Sequence, residues 1–433
     1  MAGQQISVPT TSPSAFKRFL VSTGLCSVAD GVTLIAWVWL AANLTRDPIL
    51  VALVPAALKW PLFLLALPSG IVADRYDRLH IIRMMDAGRA LVLTALIGLI
   101  AVQDLPSSPP AEGLANPGVY IALLVAATLI GSAEVFRSTA ARSFLPQIID
   151  EPSLEGANGK LSGAELVGHT MIGPALGAFL IHADSVLPFL FNAVAYAYAM
   201  YNLRSVETRR VARATQVAPW QQELHEAWRF LISMPNLVYL AAISAFWAFF
   251  IEMTMVALVL HSRENLGASA ETYGLIIAGS AVGGIAGAVW GPALVRRFGG
   301  ARMAQVCVAF SALFTLLCAL SGTAFWLMVM LAALQFCFLI WNIVSIAYRQ
   351  RVIPLGLMGR VNSIYNLFGW LLAPIGIAMA GVISSQAQHY VPRETALVLP
   401  FFVASTGCLV IAILFWPSLW RIFSTQSVAG RHS

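Results

Sequence analysis

The sequence predicts an all-α integral membrane protein, with twelve transmembrane helices arranged as two pseudo-symmetric six-helix bundles. Three observations predict it. Of the 433 residues, 59% are hydrophobic and only 11% charged, against about 25% charged in a soluble domain. Apolar runs of about 20 residues, each able to cross roughly 30 Å of hydrocarbon, recur along the whole chain. They centre near Val28, Pro61, Leu91, Ala126, Met171 and Ala193, then near Ala248, Val282, Phe310, Met330, Leu372 and Val403. The two halves also repeat each other. Gly159-Lys160 and Gly173-Pro174 recur as Gly359-Arg360 and Ala373-Pro374, 200 residues on, each cationic pair opening the fifth span of its half.

The elements follow in order. Residues 1–15 read as a polar tail, and 16–202 as the first bundle. Residues 203–237 form a linker in which Trp220, Leu224, Ala227, Trp228 and Leu231 share one helical face. This stretch is expected to lie as an amphipathic helix on the membrane surface or as a solvated linker helix. Residues 238–416 form the second bundle and 417–433 a second tail. The first span is full length and carries no short apolar core with a cleavage site, so no removable leader is expected.

The net charge of +6 does not point to nucleic acid, because the cations alternate by side. Counting loops from an inner N-terminus puts Lys17, Arg18, Arg75, Arg78, Arg142, Arg204, Arg296, Arg349, Arg351 and Arg421 inside. Only Arg46, Arg263 and Arg393 fall outside. That bias places both termini in the cytoplasm and fits a multi-pass membrane protein. Cys26, Cys307, Cys318, Cys337 and Cys408 all lie within apolar runs without paired spacing. Free buried thiols are expected, with neither disulfide nor metal.

Between the second and third spans stands Gly70-Ile-Val-Ala-Asp74-Arg75-Tyr-Asp77-Arg78. A small Gly70 allows close helix packing, Asp74 can cap a helix N-terminus, and the arginines hold the turn on the inner side. This string resembles the signature loop of the major facilitator superfamily of secondary transporters. A decayed copy runs from Gly291 to Arg296-Arg297, with Val295 where Asp74 stood. Arg142-Ser-Phe-Leu-Pro146 and Arg351-Val-Ile-Pro354…Gly359-Arg360-Val-Asn362-Ser363 look like a bacterial exporter subfamily of siderophore and drug pumps and a lysophospholipid flippase. Gly173-Pro174-Ala-Leu-Gly177 resembles that superfamily's antiporter motif. Pro174 removes a backbone donor, and Gly173 and Gly177 offer a smooth face for a close crossing. Ala178 replaces a further glycine, and the arginine motif usual in the fourth span of drug exporters is missing. Both departures weaken a drug-antiporter assignment. The resemblance implies a substrate site between the halves near the midplane.

Ionisable groups at bilayer depth cost at least about 2.5 kcal/mol and need a partner or a function. Asp30 lies some 14 residues into the first span, about 21 Å along it. Lys59 lies at similar depth, so Asp30 pairs with Lys59, faces the cavity alone, or does neither. Glu252 falls one position from Asp30 in the other half once the repeat offset is subtracted, so the two acids are expected to face one cavity. His169 and Glu165, four apart in the fifth span, share a helical face; they form a proton relay or substrate contact, or His169 is a satisfied structural histidine. Asp86, Arg89, Glu134 and Arg137, with the Gly70–Arg78 loop, are expected to form an inner gate. Aromatic residues on the first, seventh, tenth and eleventh spans, including Trp37, Phe250, Trp341, Tyr365 and Trp370, accompany Asn342, Asn362 and Asn366. They suit an amphiphilic or aromatic solute better than a sugar.

No nucleotide loop or nucleophile signature is present, so an enzyme and an ATP-driven pump are both excluded. The expected function is proton-coupled export of a drug, siderophore or other amphiphile. Lysolipid flipping and a non-transporting scaffold are the alternatives. The partners implied are a small-molecule substrate, protons and membrane lipids, for a monomer without cofactors.

Overall fold

The computed structural model describes residues 13–103, 109–149, 154–206, 220–354 and 357–424. Apolar runs with good helix formers become helices because lipid offers no partner for an open backbone. The first bundle holds α1 (Pro13–Leu44), α2 (Pro48–Lys59), α3 (Pro61–Arg75), α4 (Arg78–Ala101) and α5 (Pro117–Phe144). It continues with α6 (Leu154–Val167), a π-helical turn (Gly168–Ile172), α7 (Gly173–Ala183) and α8 (Leu187–Asn202). After the linker helix α9 (Trp220–Ser233) come α10 (Pro235–Leu260), α11 (Ala270–Phe298), α12 (Gly300–Ala319) and α13 (Ala324–Val352). The chain closes with α14 (Met358–Trp370), α15 (Ala373–Ala387) and α16 (Arg393–Ser424). Among the described residues, eleven helical segments are long and apolar enough to span a membrane. The 16-residue α8, packed against α1 and α4, is the twelfth.

Three spans are interrupted, and prolines mark each break. The second span splits at Trp60 before Pro61, the fifth at the π turn before Pro174, and the eleventh at Leu371–Leu372 before Pro374. Each proline withdraws a backbone donor and bends its helix. Short polar residues start other spans: Asp47 accepts from the Ile49 amide, and Asn116 from that of Val119. At the signature loop the cap is Asp77, accepting from the amides of Leu79 and His80 at 2.8 and 3.2 Å. The Asp74 side chain, expected to cap, lies outside the described residues. Arg78 fastens the turn to the carbonyls of Ala73 and Ser143.

The linker helix packs on α10 and α14 of the second bundle. Ala227 and Leu231 are buried, while His225, Glu226 and Arg229 are exposed. Trp228 lies against Phe368. The side chains of Trp220 and Leu224 are outside the described residues.

The two bundles touch through α2 against α15, and through the π turn and α7 against α11. Both contacts lie toward the face opposite the chain termini. The segments nearer the termini, α3, α6 and α14, pack chiefly within their own half, so the interface opens toward the termini and the linker.

Candidate functional site: a charged first half and an aromatic second half

Small residues set the closest helix crossing. A Cβ on Gly173 would stand 2.5 Å from the Gly31 Cα, and one on Gly31 would stand 2.6 Å from the His169 carbonyl. The antiporter-like motif therefore lies against α1 one residue from Asp30, as its smooth face predicts. Across the interface, a Cβ on Gly274 would stand 1.9 Å from that of Ala178. The alanine that departs from the motif meets its missing glycine on the opposite helix.

Asp30 does not pair with Lys59. Its Oδ1 accepts the Tyr196 hydroxyl at 2.7 Å and Arg89 Nη1 at 3.3 Å. Lys59, at the break of the second span, instead donates to Glu252 on α10, an ion pair joining the two halves. Spacing along the two spans does not set the direction in which each charge faces. Lys59, beside the Pro61 break, faces α10, and Asp30 faces α4 and α8.

Arg89 is the hub of a buried network. It is fully buried, its guanidinium lies 3.9 Å over the Tyr196 ring, and it bonds Glu134 at 2.6 Å and Asp86 within its own helix. Arg137 Nε donates to the same Asp86 oxygen at 2.8 Å. The residues expected as a separate inner gate therefore form one cluster with Asp30. Three carboxylates (Asp30, Asp86, Glu134) face two guanidiniums, so the fully ionised cluster carries one excess negative charge. Asp86 is sealed, while the Asp30 and Glu134 side chains keep 24% and 37% exposure.

Glu165 and His169 do not meet as expected. The π turn begins at Gly168 and shifts the register between them. Among the described residues no hydrogen bond or ion pair joins the two.

The second bundle differs. Arg349, counted from sequence as a loop cation, lies buried in the last turn of α13. It bonds Asn362 at 2.8 Å and Asn366 at 3.3 Å, and lies 4.1 Å over the Tyr365 ring. It lines a cavity with Ser244, Trp247, Phe338, Trp341, Asn342 and Trp370. Sequence reading missed Tyr196 and Arg349. A tyrosine inside an apolar span needs a partner for its hydroxyl, which was the available signal for Tyr196; nothing in the sequence separates Arg349 from its neighbour Arg351.

The face away from the termini is closed by the cations that the sequence left there. Arg263 donates to the Ala42 carbonyl at 2.7 Å and lies over the Trp39 ring. Arg393 bonds Glu264 and the Arg46 carbonyl. All five cysteines are buried and free.

Comparison with known proteins decides the family. A model of the major facilitator superfamily matches residues 19–377. The chain belongs to that superfamily. It is a multi-pass membrane transporter rather than an enzyme. A search of curated proteins returns no match. A bacterial homologue of the iron transporter ferroportin, solved in its inward-facing state, superposes with a TM-score of 0.70 at 17% identity. The match covers 93% of this chain and 98% of that one. A bacterial homologue of ferroportin in its outward-facing state gives 0.58 at 18% identity, covering 93% and 99%. A nucleoside transporter gives 0.69 at 12% identity, covering 94% and 99%.

Proposed function

We propose that this superfamily member is a proton-coupled exporter of an amphiphilic small molecule in a bacterial inner membrane. It works by alternating access, with the termini face, toward which the interface opens, as its cytoplasmic side. The observation that carries the reading is the Asp30–Arg89–Glu134 cluster, where a buried hub cation faces more carboxylates than it can neutralise.

In this reading a proton arriving from outside neutralises Asp30 and weakens its bonds to Arg89 and Tyr196. Arg89 then leans on Glu134 and Asp86. Because Asp30 is one residue from the Gly31–Gly173 crossing, a change in its charge acts where α1 and the fifth span slide. The proton leaves to the cytoplasm when the cavity opens inward. Lys59–Glu252 bridges the halves and holds one state. The Gly70, Asp74, Arg75 and Arg78 loop limits the switching rate, and Glu165 and His169 remain secondary candidates on the same wall. The closed far face, the positive-inside bias and the better superposition on an inward-facing relative support the cytoplasm-open assignment.

Lysophospholipid flipping is the second reading. It is favoured by an apolar groove between α10 and α16, lined by Phe246, Phe250, Phe402 and Gly407.

The test is an efflux screen in cells lacking their own pumps, run with and without an uncoupler. The reading expects expression of the chain to lower accumulation of at least one amphiphile, and the uncoupler to restore it. Efflux indifferent to the uncoupler would contradict proton coupling.

A further inference from the structure

Among the described residues Arg349 has no carboxylate partner. It is only 7% exposed, yet among the described residues its guanidinium meets amide oxygens, a backbone carbonyl and an aromatic ring, none of them charged. Every other strongly buried guanidinium of the described residues, Arg89 and Arg137, holds at least one carboxylate. A buried cation without a counter-ion is costly unless something brings the charge.

A second group in the same wall is also unanswered. Trp247 is 2% exposed, lines the same cavity, and its Nε1–H is buried without an acceptor. Buried indole donors ordinarily find one. Trp247 stands edge-on to Trp341 and Phe338, with ring centroids 5.3 and 5.9 Å away. Above Arg349 the cavity is therefore aromatic, and Phe338 lies about 16 Å further along α13.

We propose that Arg349, steered by Asn362, Asn366 and the Tyr365 ring, is the anion-binding end of the substrate site. The Trp247–Trp341–Phe338 wall receives the apolar body of the same molecule. The substrate is then an anionic amphiphile, entering head-down from the termini face. Tyr365 is fixed for this by the Ser244 and Ser345 hydroxyls and the Leu240 carbonyl, so the face presented to the guanidinium is rigid. The inference deepens the transport reading by naming its substrate class. Its test is an equilibrium one without a gradient, so a failure of proton coupling leaves the result untouched.

The protein in nanodiscs is titrated with 2-naphthoate and its neutral amide, and with lysophosphatidylglycerol and zwitterionic lysophosphatidylcholine. A charge-assisted hydrogen bond is worth about 1.5–3 kcal/mol, so the anion of a pair should bind at least about tenfold tighter. Preference for naphthoate marks a soluble aromatic acid, and preference for the lysolipid anion marks a lipid headgroup. Arg349→Gln should abolish the preference, and Arg349→Lys should restore part of it. If Arg349→Gln does not fold, an Asn342→Cys variant with Arg349 intact decides. The anion, and not its neutral partner, should slow labelling of that cysteine by a thiol reagent. Equal affinity within both pairs, a preference that survives Arg349→Gln, or equal protection by anion and neutral partner would overturn the proposal.

Discussion

The two bundles share a helix plan and differ in what they bury. The first buries carboxylates with their cations: Asp86 and Arg89 are wholly sealed, and Arg137 is 4% exposed. The second buries a guanidinium among amides and rings. Tyr196 and Tyr365 play matching parts, each presenting its ring to an arginine at about 4 Å. Only Tyr196 hands its hydroxyl to a carboxylate; Tyr365 meets hydroxyls and a carbonyl. The lesson is that a repeated fold need not repeat its chemistry. One half gathers carboxylates around its buried arginines, and the other leaves its buried arginine among neutral groups.

The sharpest way to break this contrast is to remove each arginine. Arg89→Ala takes the cation from Glu134 and Asp30 and leaves Asp86 with Arg137 alone, and breaking a buried pair costs about 3–5 kcal/mol. The variant should show a large loss of thermal stability in detergent. Arg349→Gln strands no carboxylate and should cost about 1 kcal/mol, the size of an ordinary hydrogen bond. Equal losses in a thermal-unfolding assay would erase the distinction between the halves.

Next in size is the crossing that couples Asp30 to the fifth span. Gly173→Ala sets a methyl 2.5 Å from the Gly31 Cα, where overpacking costs about 1–3 kcal/mol. Stability and transport rate should both fall, while Gly70→Ala, where a Cβ has open space around it, should leave stability unchanged. Smallest is the bridge between the halves. Lys59 is 38% exposed, so Lys59→Met or Glu252→Gln should shift the conformational equilibrium by about 1 kcal/mol at most. Thiol labelling of a Leu44→Cys variant should rise severalfold as the far face opens more often; unchanged labelling would remove the bridge from the switch.

Most of the fold was legible because lipid leaves few choices. A run of 20 apolar residues must be a helix, and alternate loops must alternate in charge. The antiporter-like glycines were legible too, since a missing Cβ has one consequence at a crossing. The charged partners were less so. Sequence spacing gives where Asp30 and Lys59 stand along their spans but not the direction each faces, and the fold joins Lys59 to Glu252 and Asp30 to Arg89 and Tyr196. The Glu165–His169 spacing of four assumed an unbroken α-helix, and the π turn at Gly168 undid it. Arg349 was hidden because the side chains that cover it, Asn362, Tyr365 and Asn366, stand on α14, and the sequence does not show which way they face.

The central claim is that Asp30 carries the coupling proton, and the direct measurement is gradient-driven export in proteoliposomes. With an imposed pH gradient, Asp30→Asn should lose uphill accumulation while substrate exchange at equal pH persists, because an amide cannot cycle between charged and neutral. Full gradient-driven accumulation by Asp30→Asn would contradict the account and move the proton to Glu134 or Glu252.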